Sequence, residues 1–116
     1  MVCEIFGRFP LSVTAKKNGG QIHVLFHYED FDCVGLFCDK CYVYFASRMS
    51  ETTSESYPIT TTYECYYKEF KEFYELLCGE KQHAPYEELV APVFVMNAIV
   101  RSLDSGREEK VEKIEL

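Results

Sequence analysis

Apolar and polar positions alternate with a period of two through the first third of the chain, the signature of half-buried strands. Leu11-Ser12-Val13-Thr14-Ala15 alternates and is followed by Asn18-Gly19-Gly20, a turn signal. From Gln21 to Tyr28, Ile22, Val24 and Phe26 fall on one face and His23, Leu25 and His27 on the other. Two such runs across a Gly-rich turn predict a β-hairpin. After Glu29-Asp30-Phe31-Asp32, the run Val34-Gly35-Leu36-Phe37-Cys38 and the β-forming run Cys41-Tyr42-Val43-Tyr44-Phe45-Ala46 flank Asp39-Lys40, which predicts a second hairpin. Ser50 to Ser56 is polar and predicts a loop, and Tyr57 to Tyr63 a short Thr-rich strand.

The period then changes to that of a helix. Tyr66, Phe70, Phe73 and Leu77 form one stripe opposite Lys68, Glu69, Lys71, Glu72 and Glu75, and Gly79 sits at the C-cap position. A second helix is expected from about Glu87 to Ser105, with a stripe of Leu89, Val93, Met96, Ile99 or Val100, and Leu103, closing at Gly106. Pro92 falls within its first turns or kinks it. Val111, Ile114 and Leu116 suggest a final strand. The fold class expected is α+β, a mostly antiparallel sheet with two helices packed on one face. Residues 1–116 are read as a single domain, since no repeat or boundary interrupts them.

Composition narrows the function. The 116 residues carry 19 acidic against 12 basic side chains, a net charge of -7 that repels phosphate backbones, so neither nucleic acid nor an anionic membrane surface is an expected partner. The start, Met1-Val2-Cys3-Glu4-Ile5-Phe6, has no basic segment followed by an apolar run, and Leu89–Val100 is too short to span a bilayer, so a cytoplasmic location is expected.

Six cysteines, Cys3, Cys33, Cys38, Cys41, Cys65 and Cys78, read as reduced thiols, mostly small buried groups. Cys33-x4-Cys38-x2-Cys41 has the spacing of the first three ligands in plant-type iron–sulfur proteins. Yet Leu36 and Phe37 inside that loop read as strand, and the gaps to Cys65 and Cys78 miss the usual spacing. Zinc wants two ligand pairs and only Cys38/Cys41 forms one. Hence no metal site is assigned. His23-x3-His27 puts two imidazoles on one strand face, where they can act with an acid or simply form a polar sheet face. The six glycines form no dinucleotide or phosphate loop, and no catalytic residue is assigned.

Three segments carry a resemblance. Tyr67-Lys68-Glu69-Phe70-Lys71-Glu72-Phe73-Tyr74-Glu75-Leu76-Leu77-Cys78-Gly79-Glu80 reads as "Y..E...F...I..G". Val95-Met96-Asn97-Ala98-Ile99-Val100-Arg101-Ser102-Leu103-Asp104-Ser105-Gly106 reads as "v..Ai..S...G..v.l", and Phe6-Gly7-Arg8-Phe9-Pro10-Leu11-Ser12-Val13-Thr14-Ala15 as "fG.p.sV.a". Together these resemble the C-terminal domain of the glucose–fructose oxidoreductase/inositol dehydrogenase/MocA (Gfo/Idh/MocA) family. The resemblance implies a substrate-binding and oligomerisation domain that forms a homodimer through its sheet face. It further implies a Rossmann domain binding NAD or NADP elsewhere in a full-length relative, so that this chain alone is catalytically incomplete. Its Glu-Lys-Pro and Asp-x-x-x-His elements have no counterpart here; Glu80-Lys81-Gln82 is not such a motif. Arg48, at the end of an expected strand, is the candidate for contacting a sugar-like or carboxylate substrate. Two alternatives remain: a free-standing binding or regulatory module derived from that domain, and a cysteine-based metal or redox protein.

Overall fold

A computed structural model describes residues 6–40, 44–59, 63–80 and 84–112. The chain is α+β, with antiparallel sheets and two helices. It divides into two compact units, Met1–Asp39 with Ala84–Leu116, and Lys40–His83.

In the first unit, β1 (Ser12–Asn18), β2 (Gln21–His27) and β3 (Asp32–Cys38) form an antiparallel meander, and the short β6 (Glu109–Lys110) pairs with the other edge of β1. The first hairpin closes as the sequence predicts: Asn18 pairs with Gln21 across Gly19-Gly20, and Gly19 has the positive φ (58°) that favours glycine at the first loop position. Direct pairing sets Val13 beside Phe26 and Ala15 beside Val24, so the period-two pattern becomes one apolar face. Those four side chains are at most 5% exposed. Helix α2 (Tyr86–Ser105) covers that face with Val95, Ala98 and Ile99. Gly35 is required on β3 because a Cβ there would lie 2.8 Å from the Phe26 ring.

The inward side of α2 differs from the expected stripe. Ile99 is buried and Leu103 packs against the core, but Leu89, Val93, Met96 and Val100 are each more than half exposed. The helix is apolar around most of its circumference, so a 3.6-residue period fits more than one rotation. Small residues decide it: Ala98 and Ser102, both fully buried, let the backbone approach β1, where the Ser102 hydroxyl accepts the Ala15 N–H at 2.8 Å. Pro92 lies inside the helix, in its second turn, and Gly106 (φ 67°) caps its end.

In the second unit, β4 (Tyr44–Met49) and β5 (Ser54–Ile59) form a hairpin whose Ser50–Thr53 turn is closed by the Ser50 N–H donating to the Thr53 carbonyl at 2.9 Å. The polar loop is therefore shorter than expected, since Ser54–Ser56 joins the ladder. β5 ends at Ile59, and Tyr63 opens α1 (Tyr63–Leu77) instead of closing a strand. Asp39-Lys40 is a turn with Lys40 at φ 57°, but it closes no hairpin among the described residues, because β3 pairs with β2 and β4 with β5. Cys41–Val43 and the expected strand residues Ile114 and Leu116 lie outside the described residues.

Helix α1 carries its stripe where the period puts it, although Tyr66, Phe70, Phe73 and Leu77 are all exposed. It ends in a Schellman motif: Glu80 N–H donates to the Glu75 carbonyl, Gly79 N–H to Leu76, and Gly79 takes φ 73°.

Candidate functional site

The face of the four-stranded sheet opposite α2 presents successive cross-strand rows. The first is Ser12–His27–Asp32, the second Thr14–Leu25–Val34, and the third Lys16–His23–Leu36. Val34 is 74% exposed and Leu36 55%. In the first row, a carboxylate can only accept, so the His27 Nδ1–H donates to Asp32 Oδ1 at 3.0 Å. In the neutral ring Nε2 then accepts the Thr14 hydroxyl, 2.9 Å away; in the imidazolium it donates to the same oxygen. Three strands thus hold a hydroxyl, an imidazole and a carboxylate in line, satisfied in either protonation state. Ser12 donates its hydroxyl to Glu108, ahead of β6.

That connectivity is also the connectivity of acyl-transfer triads. What it lacks among the described residues is a donor for a developing oxyanion. Thr14 sits in the middle of the β1–β2 ladder, whose backbone N–H groups lie in the sheet plane, and the adjacent Ala15 N–H is held by the Ser102 hydroxyl. The array therefore ties three strands together on this face. Beside it, Thr14, Lys16, His23, Leu25 and Val34 line a shallow concavity of about 160 Å³. A second cleft of about 300 Å³ is walled by Phe9, Pro10, Val90, Ala91, Phe94 and Val111, with the Glu87 and Glu112 carboxylates beside it. It is apolar and acidic-rimmed, unsuited to a carboxylate.

The sequence puts His23 and His27 on one face, and so does the ladder; Asp32 is the acid, directly opposite His27. The Gly19-Gly20 turn sets the register that brings Thr14 to His27, while Asp32 escapes sequence reasoning because its approach depends on the Tyr28–Phe31 connection: Tyr28 N–H donates to the Phe31 carbonyl at 2.9 Å and the two rings stack at 4.5 Å. Arg8 lies over both rings and pairs with Asp30 at 2.9 Å.

Arg48 stands on β4, directly opposite Glu55 in the hairpin register and exposed. Glu55 also accepts the Tyr57 hydroxyl, which holds the Tyr57 phenol above its ordinary titration range. Arg48 therefore stands in a surface charge pattern with a carboxylate opposite, and it belongs to the other unit from the open face.

Cys33 points to the core side of β3 and Cys38, five residues on, to the open side, so the two thiols diverge. Burial pushes the Cys33 thiol up. Cys41 is outside the described residues, among which no three His, Cys, Asp or Glu side chains are grouped as a metal site.

A dinucleotide needs a glycine turn opening a helix, where N–H groups meet the pyrophosphate. Here Gly19 and Gly20 turn a hairpin, Gly35 lies within a strand, and Gly79 and Gly106 follow helix C-termini. The described residues do not fit NAD or NADP. No family model, curated protein or solved structure matches this chain.

Proposed function

We propose that this chain is the substrate-binding and oligomerisation domain of an NAD(P)-dependent oxidoreductase of the Gfo/Idh/MocA type, working in the cytoplasm with a Rossmann domain that holds the cofactor. The single observation that carries the reading is the open sheet face, where Leu25, Val34 and Leu36 stand beside an ordered polar array and Val34 and Leu36 are exposed among the described residues. An apolar sheet face of this kind is stabilised by a second sheet or a ligand. The placement of the resembling segments supports it as well: the strand of the "fG.p.sV.a" segment pairs with β6, and the helix carrying Ser102 packs on that strand. Among the described residues no helix is long and apolar enough to cross a membrane.

The test is sedimentation equilibrium of the full chain. A homodimer is expected, and Val34→Asp or Leu36→Asp should shift it to monomer, with circular dichroism unchanged because both side chains are exposed. Calorimetric titration with NAD(H) should give no binding to this chain alone. Micromolar binding, or a strict monomer at high concentration, would contradict the reading. An immunoblot at about three times the chain's mass would place it within a larger enzyme, as the typical two-domain plan requires; a band at 13.5 kDa would favour the binding or regulatory module.

A further inference from the structure

The larger cleft of the first unit lies where its packed elements stop. The buried residues of α2 begin at Val95, so the first two turns of that helix run clear of the core. β1 begins at Ser12, with Phe9-Pro10 ahead of it, and β6 ends at Lys110, after which the Val111 N–H donates to the Leu11 carbonyl at 2.9 Å. These three ends enclose about 300 Å³, the size at which small-ligand pockets begin. The lining is apolar, and Ala91, four residues after Glu87 and four before Val95, contributes only a methyl group to it.

The charges at the rim are unequal. Glu87 is exposed in the first turn of α2 and forms no ion pair or side-chain hydrogen bond among the described residues. Glu112 is shared with Arg101, 3.5 Å away, but that guanidinium also lies 3.9 Å from Glu109 and donates to the Lys110 carbonyl at 2.9 Å. Arg101 is therefore outnumbered by the carboxylates it serves. Lys110 pairs with Ser12 and so belongs to the opposite face of the sheet, and Arg8, next to Phe9, is tied to Asp30. The start of α2 carries a partial positive charge of about half a unit, against which two whole carboxylates, Glu87 and Glu88, stand in the same turn. Phe9 and Phe94 act with the same sign, since the face of a phenyl ring attracts cations.

We propose that this cleft binds a small organic ammonium ion, its single-ring apolar body against Phe9, Val90, Phe94 and Val111 and its charged head at Glu87. The site is separate from the open sheet face and does not rest on the self-association reading. Burial of the body supplies the affinity and the carboxylates supply the choice of ligand. An anion of the same shape meets Glu87 and Glu112 with the wrong sign, and a neutral analogue gains the burial alone. A bare metal ion lacks ligands, because no three His, Cys, Asp or Glu side chains are grouped among the described residues. Glu87 is the principal partner because nothing competes for it, and Glu112 the lesser one because Arg101 does.

Titration of the isotope-labelled full chain, followed through its amide resonances, tests the site with three probes that share one body: phenethylammonium, the neutral phenethyl alcohol and the anionic hydrocinnamate. Phenethylammonium should shift the Phe9, Val90, Ala91, Phe94 and Val111 amides saturably, with a dissociation constant of about 0.1–5 mM. The alcohol should bind about 5-fold more weakly or worse, and hydrocinnamate should not saturate. Glu87→Gln should raise the dissociation constant of phenethylammonium about 5-fold, Glu112→Gln should raise it less, and added salt should weaken binding to the wild-type chain. Ala91→Leu fills the cleft with its own side chain and should abolish binding while resonances away from the cleft keep their positions. Should that variant fail to fold, Glu87→Gln still decides, because Glu87 is exposed and unpaired. Equal binding of the alcohol, indifference to Glu87→Gln, saturable shifts centred elsewhere, or no saturation by about 20 mM would each overturn the proposal. None of these outcomes alters the sedimentation result, so the two readings stand or fall separately.

Discussion

Ser102 is fully buried, and both functions of its hydroxyl are in use: the oxygen accepts the Ala15 N–H at 2.8 Å and the proton goes to the Arg107 carbonyl. β6 pairs with β1 only at Ser12 and Val13, so the next outward N–H on that edge, at Ala15, has the helix side chain as its partner. Ser102→Ala should therefore destabilise the chain by about 1–3 kcal/mol, the cost of a buried N–H left unpaired, read as a lower urea midpoint with an unchanged slope. Cys33 allows a chemical check. Its folded-state value is raised by burial, so the neutral thiol's contribution to stability is complete below the ordinary 9.0 and is lost as pH rises through the folded value. Alkylation followed by mass spectrometry should modify exposed Cys65 and Cys78 before Cys33, and Cys33 should become reactive only in alkali or denaturant. That a serine within "v..Ai..S...G" has a backbone to hold is invisible in the sequence, because its donor partner lies 87 residues upstream and its acceptor five downstream.

At the scale of elements, periodicity locates strands and helices well and orients them unevenly. β1 and β2 alternate cleanly, so a one-residue slip would bury His23 and His27 and expose Val24 and Phe26; their faces follow from sequence alone. α2 has apolar residues on several sides, and its rotation is set by which side chains are small enough to lie against β1. Turns divide the same way. Gly19-Gly20 declares its hairpin, whereas Asp39-Lys40 is a turn between strands that pair elsewhere. Lys40 takes φ 57°, a conformation a side chain disfavours. Lys40→Gly should cost nothing there and stabilise by up to about 1 kcal/mol, less the extra freedom glycine gives the unfolded chain, measured as a rise in thermal midpoint.

For the molecule as a whole, the open face and the two-unit division matter most, and both depend on strand order. Arg48 and Glu55 become cross-strand neighbours only through the pairing of β4 with β5. The sequence by itself determined the α+β class, the first hairpin, both helices with their glycine caps, and the shared face of the two histidines, because these depend on contacts a few residues apart. Only the tertiary structure decided how α2 is rotated, which strands pair beyond the first hairpin, and that Thr14, His27 and Asp32 form one array. Those outcomes depend on packing volume and ladder register between residues far apart in the chain, and no local pattern carries that information.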